Sequence, residues 1–129
     1  MTNDDSMRIG FTMLKRWLEN RNNGKTFSDY LASFGYSSVG IYGAGEIGIL
    51  LYAELKGKLN VLYFIDRNAE TYGNVDCVPV ILPHDLFRNP ECDIIVITAL
   101  TDIDNISSII LSQHPNQPVI GIRDAVYEF

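Results

Sequence analysis

The chain has 129 residues, with 10 Lys and Arg against 16 Asp and Glu for a net charge of −6. That length suits one domain with a proper core and leaves little room for a separate catalytic domain. The acidic balance, without a basic stripe, excludes nucleic acid and anionic membrane surfaces as partners, so any phosphate must be met by backbone N–H groups and a helix dipole.

Met1-Thr2-Asn3-Asp4-Asp5 is acidic where a signal peptide is basic, and no apolar run approaches the roughly 20 residues of a membrane span. A cytoplasmic protein with no membrane span is the expectation. From Ser6 to Asn20 the residues Met7, Phe11, Leu14, Trp17 and Leu18 form an apolar stripe at helical spacing, and Asn22-Asn23-Gly24 ends it. Thr26 caps a second helix, Phe27 to Phe34, with Gly35 as its stop. Residues 1–36 thus read as an N-terminal helical extension and 37–129 as a nucleotide-binding domain. The extension is expected to pack on its own domain, or else to present Phe11 and Trp17 to another subunit.

Ser38-Val39-Gly40-Ile41-Tyr42 is a strand that breaks into Gly43-Ala44-Gly45-Glu46-Ile47-Gly48, a Gly-x-Gly-x-x-Gly loop opening a helix. In such a loop the first glycine makes the turn, the second admits a pyrophosphate, and the third lets helix press on strand. The crossover helix carries Ile47, Leu50, Leu51 and Leu55 and closes at Gly57. The next strand, Asn60 to Ile65, ends in Asp66, about 20 residues beyond the glycines, where a carboxylate can accept ribose hydroxyls. The competing reading, a sharp corner and a turn-capping aspartate, requires three glycines, two strands, a helix and an acid to coincide by chance. Arg67 follows directly and suits a ribose 2′-phosphate or a nucleotide-sugar phosphate, or else is an exposed loop arginine. Glu46 sits in the first helical turn, where the macrodipole favours a carboxylate.

Beyond a polar stretch to Gly73, Val75 to Leu82 reads as a short or edge strand because of Pro79, and Pro83 to Phe87 as a short helix. Asp93 to Thr98 is an unbroken β-branched strand for mid-sheet. Asp102 or Asp104 caps a helix with Ile106, Ile109 and Ile110, ending near His114, and Val119 to Ile122 forms the last strand before a tail. The expected fold is α/β, a five-stranded parallel Rossmann-type sheet of order 3-2-1-4-5 with helices on both faces, preceded by two helices. Ligands of open α/β sheets bind at the carboxyl ends of strands. That selects the segments Tyr42 to Ile47, Asp66 to Asn68 and Thr98 to Asp102, and with the glycine motif it gives Gly43, Ala44, Gly45, Glu46, Ile47, Gly48, Asp66, Arg67, Thr98 and Ala99 as cofactor-binding residues, for NAD or NADP, with a nucleotide sugar as the alternative ligand.

Catalytic groups are absent from the pattern. Tyr52 and Lys56 spell the Tyr-x-x-x-Lys pair of short-chain dehydrogenases, but on the crossover helix, far from where a nicotinamide would lie, so they read as helix surface. His84 and His114 stand without a paired acid at metal or triad spacing, Ser107-Ser108 lies inside a helix rather than on a nucleophile elbow, and Cys77 and Cys92 match no metal or redox spacing. Neither a catalytic residue nor a metal site is assigned.

The segments Val39-Gly40-Ile41-Tyr42-Gly43-Ala44-Gly45, Tyr63-Phe64-Ile65-Asp66-Arg67-Asn68, Val78-Pro79-Val80 and Asp93-Ile94-Ile95-Val96-Ile97-Thr98 resemble the Rossmann-type domain of bacterial surface-polysaccharide proteins. Such a domain precedes the catalytic part of sugar-nucleotide 4,6-dehydratases and forms the N-terminal domain of amino-sugar acetyltransferases. The resemblance covers roughly residues 37 to 122 and leaves out the first two helices. It implies a nucleotide or nucleotide-sugar binding domain in glycan or envelope biosynthesis, one that is not catalytic alone and works as a homo-oligomer or with a partner catalytic domain. Two alternatives remain: a fragment of a small NAD(P)-dependent oxidoreductase or dehydratase, and an NAD(H) redox-sensing regulatory module. A methyltransferase fits less well, since Ile47 stands where a third closely spaced glycine would be. Whether the chain is a whole protein or an excised domain stays open.

Overall fold

A computed structural model describes residues 3–129, with side chains from Asp5 onward. The sheet forms where the β-branched runs fall: β1 (Ser38–Tyr42), β2 (Asn60–Ile65), β3 (Asn74–Val75), β4 (Val78–Ile81), β5 (Ile94–Ile97) and β6 (Val119–Gly121). Their order is β3-β4-β2-β1-β5-β6, parallel throughout except for the β3–β4 pair. The helices are α1 (Asn3–Asn22), α2 (Phe27–Ser33), α3 (Glu46–Leu55), α4 (Ala69–Tyr72), α5 (Ile103–Gln113) and α6 (Ile122–Glu128), with a 3-10 helix at Pro83–Arg88.

The protein is α/β, but its sheet has six strands where five were expected. The stretch read as one strand from Val75 to Leu82 is a hairpin, β3 turning antiparallel onto β4 through Asp76 and Cys77. Both turn residues are left-handed, at φ 50° and 68°. Two successive positive-φ residues make the turn that suits a two-residue hairpin, a conformation glycine and asparagine usually supply, so Asp-Cys gave no signal. The tail after Gly121 is also helical, because Ala125 and Val126 of α6 bury fully against the main core.

Strand alternation divides the interior in two. Val39, Ile41, Phe64, Ile94 and Val96 meet α1, α2, α3 and α6 on one face, while Tyr63, Ile65, Ile95 and Ile97 meet the 3-10 helix and α5 on the other. The first two helices therefore share the core of the sheet. Glu54 of α3, only 8% exposed, joins them by accepting from the Trp17 indole N–H and from the Phe27 backbone N–H at 3.2 Å.

The inward face of α1 differs from the expected stripe. Gly10, Met13, Trp17 and Asn20 are buried, and Asn20 Nδ2 donates to the Val126 carbonyl at 2.9 Å. Met7, Phe11 and Leu18 stand 73%, 71% and 60% exposed. Two apolar stripes run along this helix: Met13 and Trp17 face the core, and Met7, Phe11, Leu14 and Leu18 face away from it. No helix among the described residues is long and apolar enough to cross a membrane.

Candidate functional site

β1 ends at Tyr42, at the carboxyl edge of the sheet, and the chain turns into α3 through the three glycines. Each glycine has a different physical reason. Gly43 takes φ +110°, and a Cβ there would lie 2.2 Å from Thr98 Oγ1; a Cβ on Gly48 would lie 2.0 Å from the Gly43 carbonyl oxygen. Both are fixed by the protein's own packing. Gly45 is not: its φ of −80° suits any residue and a Cβ would meet nothing within 4 Å. Its missing side chain leaves room in front of the helix.

That room is the head of an open cleft of about 440 Å³ lined by Tyr42, Gly43, Gly45, Glu46, Ile47, Gly48, Asp66, Arg67, Asn68, Thr98 and Ala99. The first-turn N–H groups of α3, on Glu46, Ile47 and Gly48, have no helical acceptor, and helical pairing begins with Ile49 N–H on the Gly45 carbonyl at 3.0 Å. They and the positive end of the helix dipole face this space.

Asp66 organises the floor. One carboxylate oxygen accepts the Ala44 N–H at 2.9 Å and the other the Asn68 N–H at 2.8 Å, so the strand-end acid ties the glycine loop to the loop after β2. Each oxygen keeps a lone-pair direction for a further donor. Thr98 closes the opposite wall, its hydroxyl donating to the Tyr42 carbonyl at 2.7 Å. Arg67 makes no hydrogen bond or ion pair among the described residues and lies close enough to Tyr42 to act on its phenol. Burial pushes that phenol above its ordinary value and Arg67 pulls it back, so Tyr42 is a neutral donor at physiological pH.

Nine of the ten residues selected from sequence line the cleft. Ala44 does not, being 3% exposed with its N–H held by Asp66. Tyr42 and Asn68, which lie within the strand-end segments selected from sequence, line the cleft as well. A second hollow of about 220 Å³ shares Tyr42 and Arg67 with the first and runs between Leu82, Pro83 and His84 on one side and Asp102, Asn105, Ile106 and Ile109 on the other; of these, Tyr42, Arg67 and Asp102 belong to the segments selected from sequence. Four segments distant in sequence build it, so no single local pattern announces its extent. Asp102 precedes α5 in left-handed backbone, φ 65°, and its carboxylate meets Asn105 Nδ2 at 3.3 Å instead of capping the helix by its side chain.

The remaining chemistry-bearing residues lie elsewhere. Tyr52 and Lys56 both bind Asp76, at 2.8 and 2.6 Å, fastening α3 to the β3–β4 turn on the surface. His114 Nε2 lies 3.0 Å from the Leu86 and Asn89 carbonyls. Cys92 is buried, which raises its thiol pKa and keeps it unreactive, and Cys77 is free and exposed. No cluster of His, Cys, Asp and Glu able to hold a metal occurs among the described residues. No protein-family model matches the chain, and no curated protein matches it.

Proposed function

We propose that this chain is a nucleotide-binding domain, for NAD(P) or a nucleotide sugar, that serves surface-polysaccharide or sugar-nucleotide biosynthesis without completing a reaction by itself. The observation that carries the binding reading is Gly45. Neither backbone strain nor packing asks for glycine there, whereas a pyrophosphate approaching the α3 N-terminus does. Under this reading the pyrophosphate takes the N–H groups of Glu46, Ile47 and Gly48, and a ribose hydroxyl donates to Asp66. The base enters the second hollow between Pro83 and Ile106, past Tyr42 and Arg67. The glycan assignment rests on the sequence resemblance of residues 37–122 alone. The absence of a catalytic role rests on Tyr52 and Lys56 being turned to Asp76, away from the cleft.

Thermal shift of the parent chain and of Gly45→Val against NAD, NADH, NADP, NADPH and UDP-sugars tests the reading. A ligand at a hundred times its Kd adds about 2.7 kcal/mol of stability, and a domain of this size melts about 4 °C higher for each kcal/mol. One ligand class should raise the parent's melting temperature and leave Gly45→Val, itself melting like the parent, unmoved. No shift with any of them, or an equal shift in both proteins, overturns it.

A further inference from the structure

The carboxyl edge of the sheet is open on one side of the glycine loop and covered on the other. A dinucleotide on an open α/β sheet lies across both halves, its second nucleotide over the strand ends beyond β1. Here those strands are β5 and β6, and the protein's own side chains cover them. β6 passes from Gly121 straight into α6, whose Ile122 is fully buried. A Cβ on Gly121 would lie 3.0 Å from Ile103 Cδ1, so the first turn of α5 sits on the end of β6. Leu100, two residues beyond Thr98, lies against α1 in the same way, 3.2 Å from where a Cβ on Gly10 would be. The open space runs in the other direction, from the glycine loop past Tyr42 and Arg67 into the hollow between Pro83 and Ile106.

The polar groups of that hollow are mostly acceptors. Asp102 and Asn105 stand exposed at its rim, with Asn105 Nδ2 donating to one Asp102 carboxylate oxygen at 3.3 Å. A carboxylate only accepts, so the amide nitrogen is the atom turned to it, and the Asn105 amide oxygen and the second Asp102 oxygen remain as acceptors. Asp85 adds a further carboxylate to the lining, and the buried Pro83 and Ile106 supply apolar walls for a flat ring. An exocyclic amino group, as on adenine, guanine or cytosine, offers two donors to such a set. Uracil and thymine offer one N–H between two carbonyl oxygens, whose lone pairs would face carboxylates.

We propose, resting on the nucleotide reading above, that the ligand is a nucleoside diphosphate whose base carries an exocyclic amino group, held by that half alone. The diphosphate lies on the α3 N–H groups, the amino group donates to Asp102 and Asn105, and whatever is joined to the distal phosphate stays outside the domain. Uridine and thymidine conjugates are thereby disfavoured, and a nicotinamide ring, left outside, has no means of reporting its redox state.

Calorimetric titration of the whole chain with ADP, GDP, CDP and UDP tests this, with NAD and GDP-mannose as larger conjugates and Gly45→Val as the control for the cleft. At least one amino-bearing diphosphate should bind about tenfold tighter than UDP, the worth of a hydrogen bond to a charged group. ADP should bind like NAD, and GDP like GDP-mannose. Asp102→Asn keeps a residue that adopts left-handed backbone readily, so it should melt like the parent while the preferred diphosphate falls to the affinity of UDP. UDP binding as tightly as the others, and lost in Gly45→Val, would overturn this inference and leave the nucleotide reading in place. So would an NAD affinity well above that of ADP, or a preference that survives Asp102→Asn. Binding by none of them would overturn the nucleotide reading and this inference with it.

Discussion

The two ends of the sheet are built from the same kinds of residue and use them differently. At the amino end Asp93, Gln117 and Tyr63 commit their polar atoms inside the protein. Asp93 accepts from the Ser37 N–H at 2.7 Å, the Ser37 hydroxyl at 3.1 Å and the Ser38 N–H at 3.1 Å, holding the start of β1 to β5. Gln117, 3% exposed, accepts from the Cys92 N–H and donates to the Cys92 and Pro118 carbonyls. Tyr63 donates its hydroxyl to the Pro90 carbonyl at 2.8 Å. At the carboxyl end the α3 N–H groups and the Arg67 guanidinium lack internal partners, and Asp66 keeps acceptor capacity. Saturated polar groups stabilise an architecture, while unsaturated ones at a concave edge are what a ligand can complete. The contrast makes separate forecasts: changes to the committed groups of the amino end should cost stability and leave ligand affinity alone, and changes to the unsaturated groups of the carboxyl end the reverse.

The glycine loop holds the largest expected effect and the sharpest test, because it contains both kinds of residue three positions apart. Gly48→Ala drives a Cβ into the Gly43 carbonyl, a backbone atom that cannot step aside. The helix-propensity gain of about 1 kcal/mol is smaller than the overpacking cost, and urea unfolding should show a net loss of roughly 2–3 kcal/mol. Gly45→Val, three residues earlier, should unfold like the parent. Equal losses at both positions would dissolve the distinction between a packing glycine and a ligand glycine.

Gln117→Leu comes next. It orphans the Cys92 N–H in a buried site and removes both carbonyl partners, so about 2–3 kcal/mol of stability should go, read as a lower urea midpoint with an unchanged slope. Nucleotide affinity, measured by calorimetry, should not change. At the opposite end Asp66→Asn keeps one side-chain oxygen for the Ala44 N–H and removes the charge that a ribose hydroxyl would meet. Its affinity for whichever nucleotide binds should fall by about 1.5 kcal/mol, near tenfold. Asp66→Ala would mix that loss with the loosened loop, since the same carboxylate ties Ala44 and Asn68. Arg67→Ala should move stability by no more than about 0.5 kcal/mol while weakening phosphate-bearing ligands, and an equal effect on NAD and NADP would deny Arg67 a 2′-phosphate role.

How much of this was readable beforehand follows from how local each signal is. The cleft was legible because three glycines, the apolar run before them and the acid after β2 encode a turn, a helix start and a strand end within one βαβ unit. The central parallel strands were legible from runs such as Ile94 to Ile97, buried on both faces. The β3–β4 hairpin was hidden because Asp76 and Cys77 adopt positive φ without glycine. The face of α1 was misjudged because the helix carries two apolar stripes, and the buried one contains Gly10 and Asn20, which no hydrophobic count selects. A Cβ on Gly10 would lie 3.2 Å from Leu100 Cδ1, a close contact that the leucine side chain would have to ease. The tie made by Asp66 to Ala44 was out of reach for a further reason: a motif states which residues converge and not which of them bond each other when they do.

The smallest expected effect concerns pH and returns to the amino end. Asp93 is held below the ordinary carboxylate value of 3.8, first by the Ser37 and Ser38 backbone N–H groups that favour its charged form. A carboxylate depressed in the folded state adds stability that is fully present above its unfolded value and is lost as the pH falls through the folded one. Asp93→Asn should therefore melt lower than the parent at neutral pH, and the gap should close as the pH drops below about 4, where the parent's own carboxylate takes up its proton. A gap that persists unchanged into acid would mean that the bonds to Ser37 and Ser38 depend on the shape of the side chain and not on its charge. The amino end would then be held by fit alone, and the comparison with the cleft would turn on geometry, with ionisation playing no part at that end.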